Sequence, residues 1–151
     1  MGTLKDRLET DLRTAMKARD ELLTGTLRMA LTAVRNAEVA GERARELDDE
    51  EVRAVLTKEA KKRRDAATAF ADAGRAERAD RERAEEEVLV GYLPAQLSDE
   101  ELAGIVAGAL AGVDGTGKSA MGQAMKAAQA AVAGRAEGGR VAAEVRRQLG
   151  A

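Results

Sequence analysis

The stretch Tyr92-Leu93-Pro94-Ala95-Gln96-Leu97-Ser98-Asp99-Glu100-Glu101 decides how this chain is divided. The Pro94 ring disfavours a helical residue before it and has no N–H to continue a hydrogen-bond ladder. Four residues on, Ser98-x-x-Glu101 is a capping box, in which the Ser side chain and the Glu side chain satisfy each other's orphan N–H groups. One helix must therefore end before Pro94 and another must start just after Ser98. Composition shifts at the same place. Residues 1–94 carry 19 basic and 21 acidic side chains, whereas residues 95–151 carry six of each and are dominated by Ala and Gly. Two helical domains follow, 1–94 and 95–151.

Working outward, apolar residues recur every three or four positions, the period of a helix with one buried stripe. Leu4, Leu8, Leu12 and Ala15/Met16 predict a first helix from about Thr3 to Ala18. Leu23, Leu27, Ala30, Val34 and Ala37 predict a second from about Asp20 to Ala40, with Gly25 inside it. Asp48-x-x-Glu51 resembles another capping box. Behind it Val52, Val55/Leu56, Glu59, Arg63, Ala66/Ala67 and Phe70 share a face and predict a long third helix, closed by Gly74. A charged fourth helix spans about Glu77 to Tyr92, apolar only at Val88, Leu89 and Tyr92. Beyond Ser98, a fifth helix carries Leu102, Ile105/Val106 and Leu110. The sixth runs from about Ser119 to Ala133, with Met121, Met125, Ala128 and Val132 on one side. The seventh runs from about Gly139 to Leu149, with Val141, Val145 and Leu149 spaced by four.

Composition supports an all-α fold, an N-terminal helical domain followed by a small C-terminal three-helix domain. Of 67 apolar residues 33 are Ala, Phe70 and Tyr92 are the only aromatics, and Ile105 is the only Ile. So few β-branched and aromatic side chains cannot furnish an extensive sheet. The chain contains no Cys and no His, which removes thiol nucleophiles, thiolate metal sites, Ser-His-Asp catalysis and His-bound zinc. No metal or other cofactor is expected. No window approaches the roughly 20 apolar residues of a membrane span, and the N-terminus lacks a signal-like apolar stretch. A cytoplasmic protein with no membrane partner is expected.

The sharpest string, Gly112-Val-Asp-Gly-Thr-Gly117-Lys118-Ser119, fits the phosphate-loop pattern G-x-x-x-x-G-K-[ST]. That motif needs a buried strand before the loop, whereas the segment before Gly112 has a helical period and a capping box. The string is expected to be an interhelix connector, with Ser119 capping the sixth helix. Lys58, Lys61, Lys62, Arg63 and Arg64 form a basic run among many carboxylates; a solvated face with i,i+4 pairs is expected, with nucleic-acid contact as the alternative. Glu85-Glu86-Glu87 is likewise expected to be solvated. The only Ser residues, Ser98 and Ser119, are better explained as caps than as nucleophiles, so no catalytic residue is assigned.

In the last third, Gly122 would let another helix approach closely, Gly134 would take the positive φ of a cap, and Arg135 would lie in an exposed turn, free for a partner. The string Met121-Gly122-x-x-Met125, then Gly134-Arg135-Ala136-x-Gly138, then spaced Val and Leu, resembles the GatB/YqeY domain, the tail of one component of the tRNA-dependent amidotransferase. The remainder resembles the free-standing YqeY proteins, through Leu27-Arg28-Met29, Asn36-Ala37-Glu38, Lys58-Glu59-x-Lys61-x-Arg63-Arg64-Asp65, Phe70-x-x-Ala73-Gly74-Arg75 and Tyr92-Leu93-Pro94-x-Gln96-Leu97-Ser98. The resemblance implies two helical domains, of which the tail is associated with tRNA. It also brings a family label, carbon–nitrogen ligase with glutamine as amide donor, that rests on the shared tail. The expectation is therefore a non-catalytic adaptor of bacterial type that contacts tRNA, or a tRNA-handling enzyme, through Lys126, Arg135, Arg140, Arg146 and Arg147. The alternatives are a protein–protein module with no RNA role and, last, an amide-forming enzyme.

Overall fold

The computed structural model describes residues 3–113 and 118–150, and among these the chain forms seven helices and no strand. They fall into two compact units, Met1–Leu93 and Pro94–Ala151.

The first unit holds α1 (Leu4–Ala18), α2 (Glu21–Glu38), α3 (Asp49–Asp72) and α4 (Ala76–Val90). Capping chemistry sets the starts. Thr3 and Asp6 form a capping box on α1, Asp20 accepts from the Leu23 N–H on α2, and Asp48 with Glu51 boxes α3. Leu4, Leu8, Leu27, Leu31, Val34, Val52, Leu56 and Leu89 form the core. Small residues do the rest: Ala60 and Ala67 on α3 and Ala79 on α4 are buried, and α3 and α4 make the most extensive helix pair. Gly74 closes α3 with φ +75°, as its position predicts. Tyr92 packs its ring on this core and donates its hydroxyl to Asp11, with the Arg7 guanidinium 4.6 Å from the ring centre.

Two helix ends differ from expectation. α2 stops at Glu38 rather than Ala40, and α4 at Val90 rather than Tyr92. At Glu38 the reason is a polar clamp. Its backbone C=O accepts from the Arg45 N–H at 3.0 Å. Its buried carboxylate accepts from Lys5 Nζ at 2.8 Å and from the Leu47 N–H at 3.2 Å. Residues 39–47 are thereby folded back on the end of α2. At α4 the N–H groups of Tyr92 and Leu93 reach back only three residues, to Leu89 and Val90, which tightens the chain into a turn before Pro94.

The second unit holds α5 (Asp99–Leu110), α6 (Lys118–Val132) and α7 (Gly138–Leu149). Ser98 and Glu101 form the expected capping box. Ala124, Ala128 and Val132 of α6 are fully buried against Val106, Val141 and Val145, and Met121 and Met125 pack beside them. Ala133 (φ 52°) and Gly134 (φ 78°) are both left-handed and reverse the chain after α6. Leu149, expected on the apolar stripe, is 42% exposed at the end of α7. Gly122 makes no close helix approach, since an added Cβ would meet nothing within 4 Å. A helix, α5, does precede Gly112. Val113 packs against the core of this unit, and the string from Asp114 on, including the expected Ser119 cap, lies outside the described side chains.

The Glu38 clamp makes a pH prediction. The hydrogen bond from Lys5 holds the Glu38 carboxyl below its ordinary value of 4.5, and the same bond raises Lys5 above 10.5. A depressed carboxyl contributes stability above its unfolded pKa and loses it as pH falls through the folded value. A raised Lys contributes below 10.5 and loses it as pH rises through its folded value. Glu38→Gln should therefore lower the thermal midpoint between about pH 5 and 10, and the gap to the parent should close on acidification. Melting curves by circular dichroism from about pH 2.5 to 8 test this.

Candidate functional site

Most of the five C-terminal cations turn out to hold the fold. Arg135 does not lie free in an exposed turn. It is half-buried, its Nε donates to the Val132 C=O and its Nη2 to the Ala131 C=O, each at 2.9 Å. It thus satisfies the Ala131 C=O at the end of α6 and adds a second donor to the Val132 C=O, which already accepts from the Arg135 N–H at 3.1 Å. The Arg135 C=O in turn accepts from the Leu97 N–H at 2.7 Å. Arg140 completes the grip on that residue, its Nη2 donating to the Leu97 C=O and to Asp99 Oδ1, both at 2.9 Å. Leu97, buried among α5, α6 and α7, is held through both its backbone groups.

Arg147 is engaged too. Its guanidinium grips Glu144 in a two-pronged pair, and Gln148 donates to Glu144 and to the Ala103 C=O of α5, each at 2.8 Å. The Arg147 and Gln148 donors hold the Glu144 carboxyl down to about 2. Lys126 and Arg146 are the remaining two, exposed and without an ion-pair partner among the described residues. The five cations therefore do not make one basic end. Arg140 sits against Asp99, and the charge of Arg135 acts on Glu101, whose carboxyl is lowered chiefly by the Ser98 N–H.

A second place was not legible as a site. Between α2 and α3 of the first unit lies an open groove of about 550 Å³. Met29, Ala33, Ala37 and Val55 give it an apolar lining. Arg28 and Asn36 stand on the α2 side, Lys58 and Lys62 on the α3 side. Glu59 supplies the one carboxylate lining it, and pairs with Lys62 at 2.9 Å and with Arg63 at 3.3 Å. Arg28 and Lys58 have no carboxylate partner among the described residues. The basic run is thus not uniformly solvated. Lys61 pairs outward with Asp65 at 2.9 Å. Arg63 turns inward, and its side chain is only 9% exposed.

Arg63 also corrects the reading of Glu85. That carboxylate is not solvated. It is 12% exposed, 3.6 Å from Arg63 Nε and 3.5 Å from Arg81 Nε. Arg63 Nη2 lies 3.5 Å from the Met29 sulfur, so α2, α3 and α4 meet on one guanidinium. Its Nε is buried without a hydrogen-bond partner. Among the described residues no cluster of three or more Asp or Glu could hold a metal ion, and no helix is long and apolar enough to cross a membrane.

A family model described as Yqey-like protein matches residues 5–149, nearly the whole chain. No curated protein matches it.

The grip on Leu97 separates structure from surface charge. Arg140→Met removes a charged donor from a part-buried carbonyl and should destabilise the protein by about 1.5–3 kcal/mol. Asp99→Asn removes only a pair whose acid is 97% exposed, and should change stability by less than about 1 kcal/mol. Urea unfolding followed by circular dichroism measures both.

Proposed function

The chain belongs to the family of Yqey-like proteins, and we propose that it is a non-catalytic adaptor that contacts tRNA, or a tRNA-handling enzyme, through its C-terminal helices. The observation that supports this reading is the state of Lys126 and Arg146. In a unit whose other arginines are occupied, these two exposed cations have no carboxylate to satisfy among the described residues. Cations of this kind attract phosphates without reading sequence. The resemblance of the C-terminal string to the amidotransferase tail supplies the choice of tRNA.

The absence of Cys and His and the use of Ser98 as a helix cap support a non-catalytic role over an amide-forming one. With six acids offsetting six bases in residues 95–151, contact is weak and local rather than a general affinity for nucleic acid. On this reading the protein works in the bacterial cytoplasm, where charged tRNA is made.

Binding of the full chain to bulk tRNA should be measurable at low salt and should fall as salt rises, because each neutralised phosphate releases counterions. Joint replacement of Lys126 and Arg146 by Ala should weaken binding and flatten the salt slope by roughly 0.7–0.9 for each phosphate no longer neutralised. Leaving Arg135, Arg140 and Arg147 intact keeps the fold. Fluorescence anisotropy with labelled tRNA at several salt concentrations reads both effects. Equal affinity and slope in parent and folded variant would overturn the proposal.

A further inference from the structure

We propose that the α2–α3 groove of the first unit is a docking site for an acidic amphipathic helix of a partner protein. Nothing in the tRNA reading uses this groove, which lies on a different unit from Lys126 and Arg146.

Shape and charge together select this guest. Along α2 the lining runs from Arg28 to Ala37, nine residue steps and thus about 14 Å at 1.5 Å each. That length matches roughly two and a half turns of a helix laid alongside. The lining is small and apolar at Ala33, Ala37 and Val55. At one end stands Met29, 42% exposed although its sulfur touches Arg63. Exposed methionine in a groove is an adaptable contact for apolar side chains. A pocket of about 550 Å³ receives a few such side chains, the anchors at i, i+3 or i+4 and i+7 by which helices seat in grooves.

Charge selects the sign of the guest. The lining carries Arg28, Lys58, Lys62 and Arg63 against the single carboxylate Glu59, in a chain whose net charge is -2. Glu59 is already shared by Lys62 and Arg63. Arg28 and Lys58, on opposite sides, are left to pair with acids brought by the guest. Arg63 is held from α2, α3 and α4 at once and is answered by Glu59 and Glu85, so the charge the groove offers a guest is that of Arg28 and Lys58. The groove disfavours RNA, because it offers no aromatic ring for a base to stack on and its floor is apolar. Asp or Glu flanking a short apolar stripe satisfies all of these features together.

The probe is a synthetic peptide of about 14 residues, roughly four helical turns, with Leu anchors spaced by three and four and flanking Glu. The control peptide carries Lys in place of each Glu. With the full chain, methyl resonances of Met29, Ala33, Ala37 and Val55 should shift on titration with the acidic peptide. The Lys peptide should bind at least about tenfold more weakly. The double variant Arg28→Glu/Lys58→Glu changes two exposed side chains, so it should stay folded and lose acidic-peptide binding by about tenfold or more. Equal binding of both peptides, shifts confined to other residues, or unchanged binding by the folded double variant would overturn the proposal. Two further arms exclude other occupants. A single-stranded oligonucleotide that shifted the same methyls more strongly than the acidic peptide would make the guest a nucleic acid. Self-association in sedimentation, lost in the double variant, would make it a second copy of the chain. Either result would overturn the assignment.

Discussion

Beside their shared apolar core, α2, α3 and α4 meet around one buried arginine. Arg63 brings a charged group to a place where its side chain is 9% exposed, flanked by Glu59 at 3.3 Å, Glu85 at 3.6 Å and the Met29 sulfur at 3.5 Å. Removing a charge from water is costly, and the attraction of its partners offsets this only when geometry is good. Here the contacts are long and Nε has no hydrogen bond. What keeps Arg63 inside is reach as well as charge. Around it the helices carry Ala60, Ala66 and Ala67, and a short Ala cannot fill the span between α2 and α4. The aliphatic stem of an arginine can, while its head engages both carboxylates.

This constraint shapes the surface beside it. Because a guanidinium rather than a large apolar side chain closes the junction, the floor between α2 and α3 stays shallow, apolar and ringed by cations. Lys62 and Arg63 draw in Glu59, and the charges of Arg28 and Lys58 are left facing out. In the second unit the same residue type does the opposite work. Arg135 and Arg140 are spent on carbonyls of residues 97, 131 and 132, so that unit's interior is sealed by its arginines, and among its described residues Lys126 and Arg146 present unpaired charge. One unit uses its basic residues to build an opening, and the other uses them to close a turn.

The helices were legible because their signals are local. Capping boxes at Ser98 and Asp48, left-handed glycines at 74 and 134, and the stop at Pro94 act over a few residues. The pairing of Glu59 with Arg63 was also within reach, since both lie on the stripe that carries Val52, Leu56 and Ala67. Their third member was not. Glu85 sits 22 positions later in a run of three glutamates, and three consecutive residues on a helix point in three directions. Only the packing of α4 on α3 decides which of them turns inward. Arg135 misled for the same reason. A turn residue after a glycine is exposed by default, and its bonds to residues three and four before it depend on the left-handed pair Ala133–Gly134. The groove itself needed α2 and α3 side by side, although the strings around Arg28, Asn36 and Lys58 were all marked by their family resemblance.

The most direct test of this account is a double-mutant cycle on Arg63 and Glu85, with Arg63→Met, Glu85→Gln and the pair, read as unfolding free energies in urea. If one guanidinium ties α3 to α4, each single change leaves a buried charge short of one partner, with Glu85 keeping only Arg81 or Arg63 keeping only Glu59, and the double variant should be more stable than the sum predicts by about 1–3 kcal/mol. Additivity within about 0.5 kcal/mol would contradict it, and would mean that apolar contacts alone hold the three helices together.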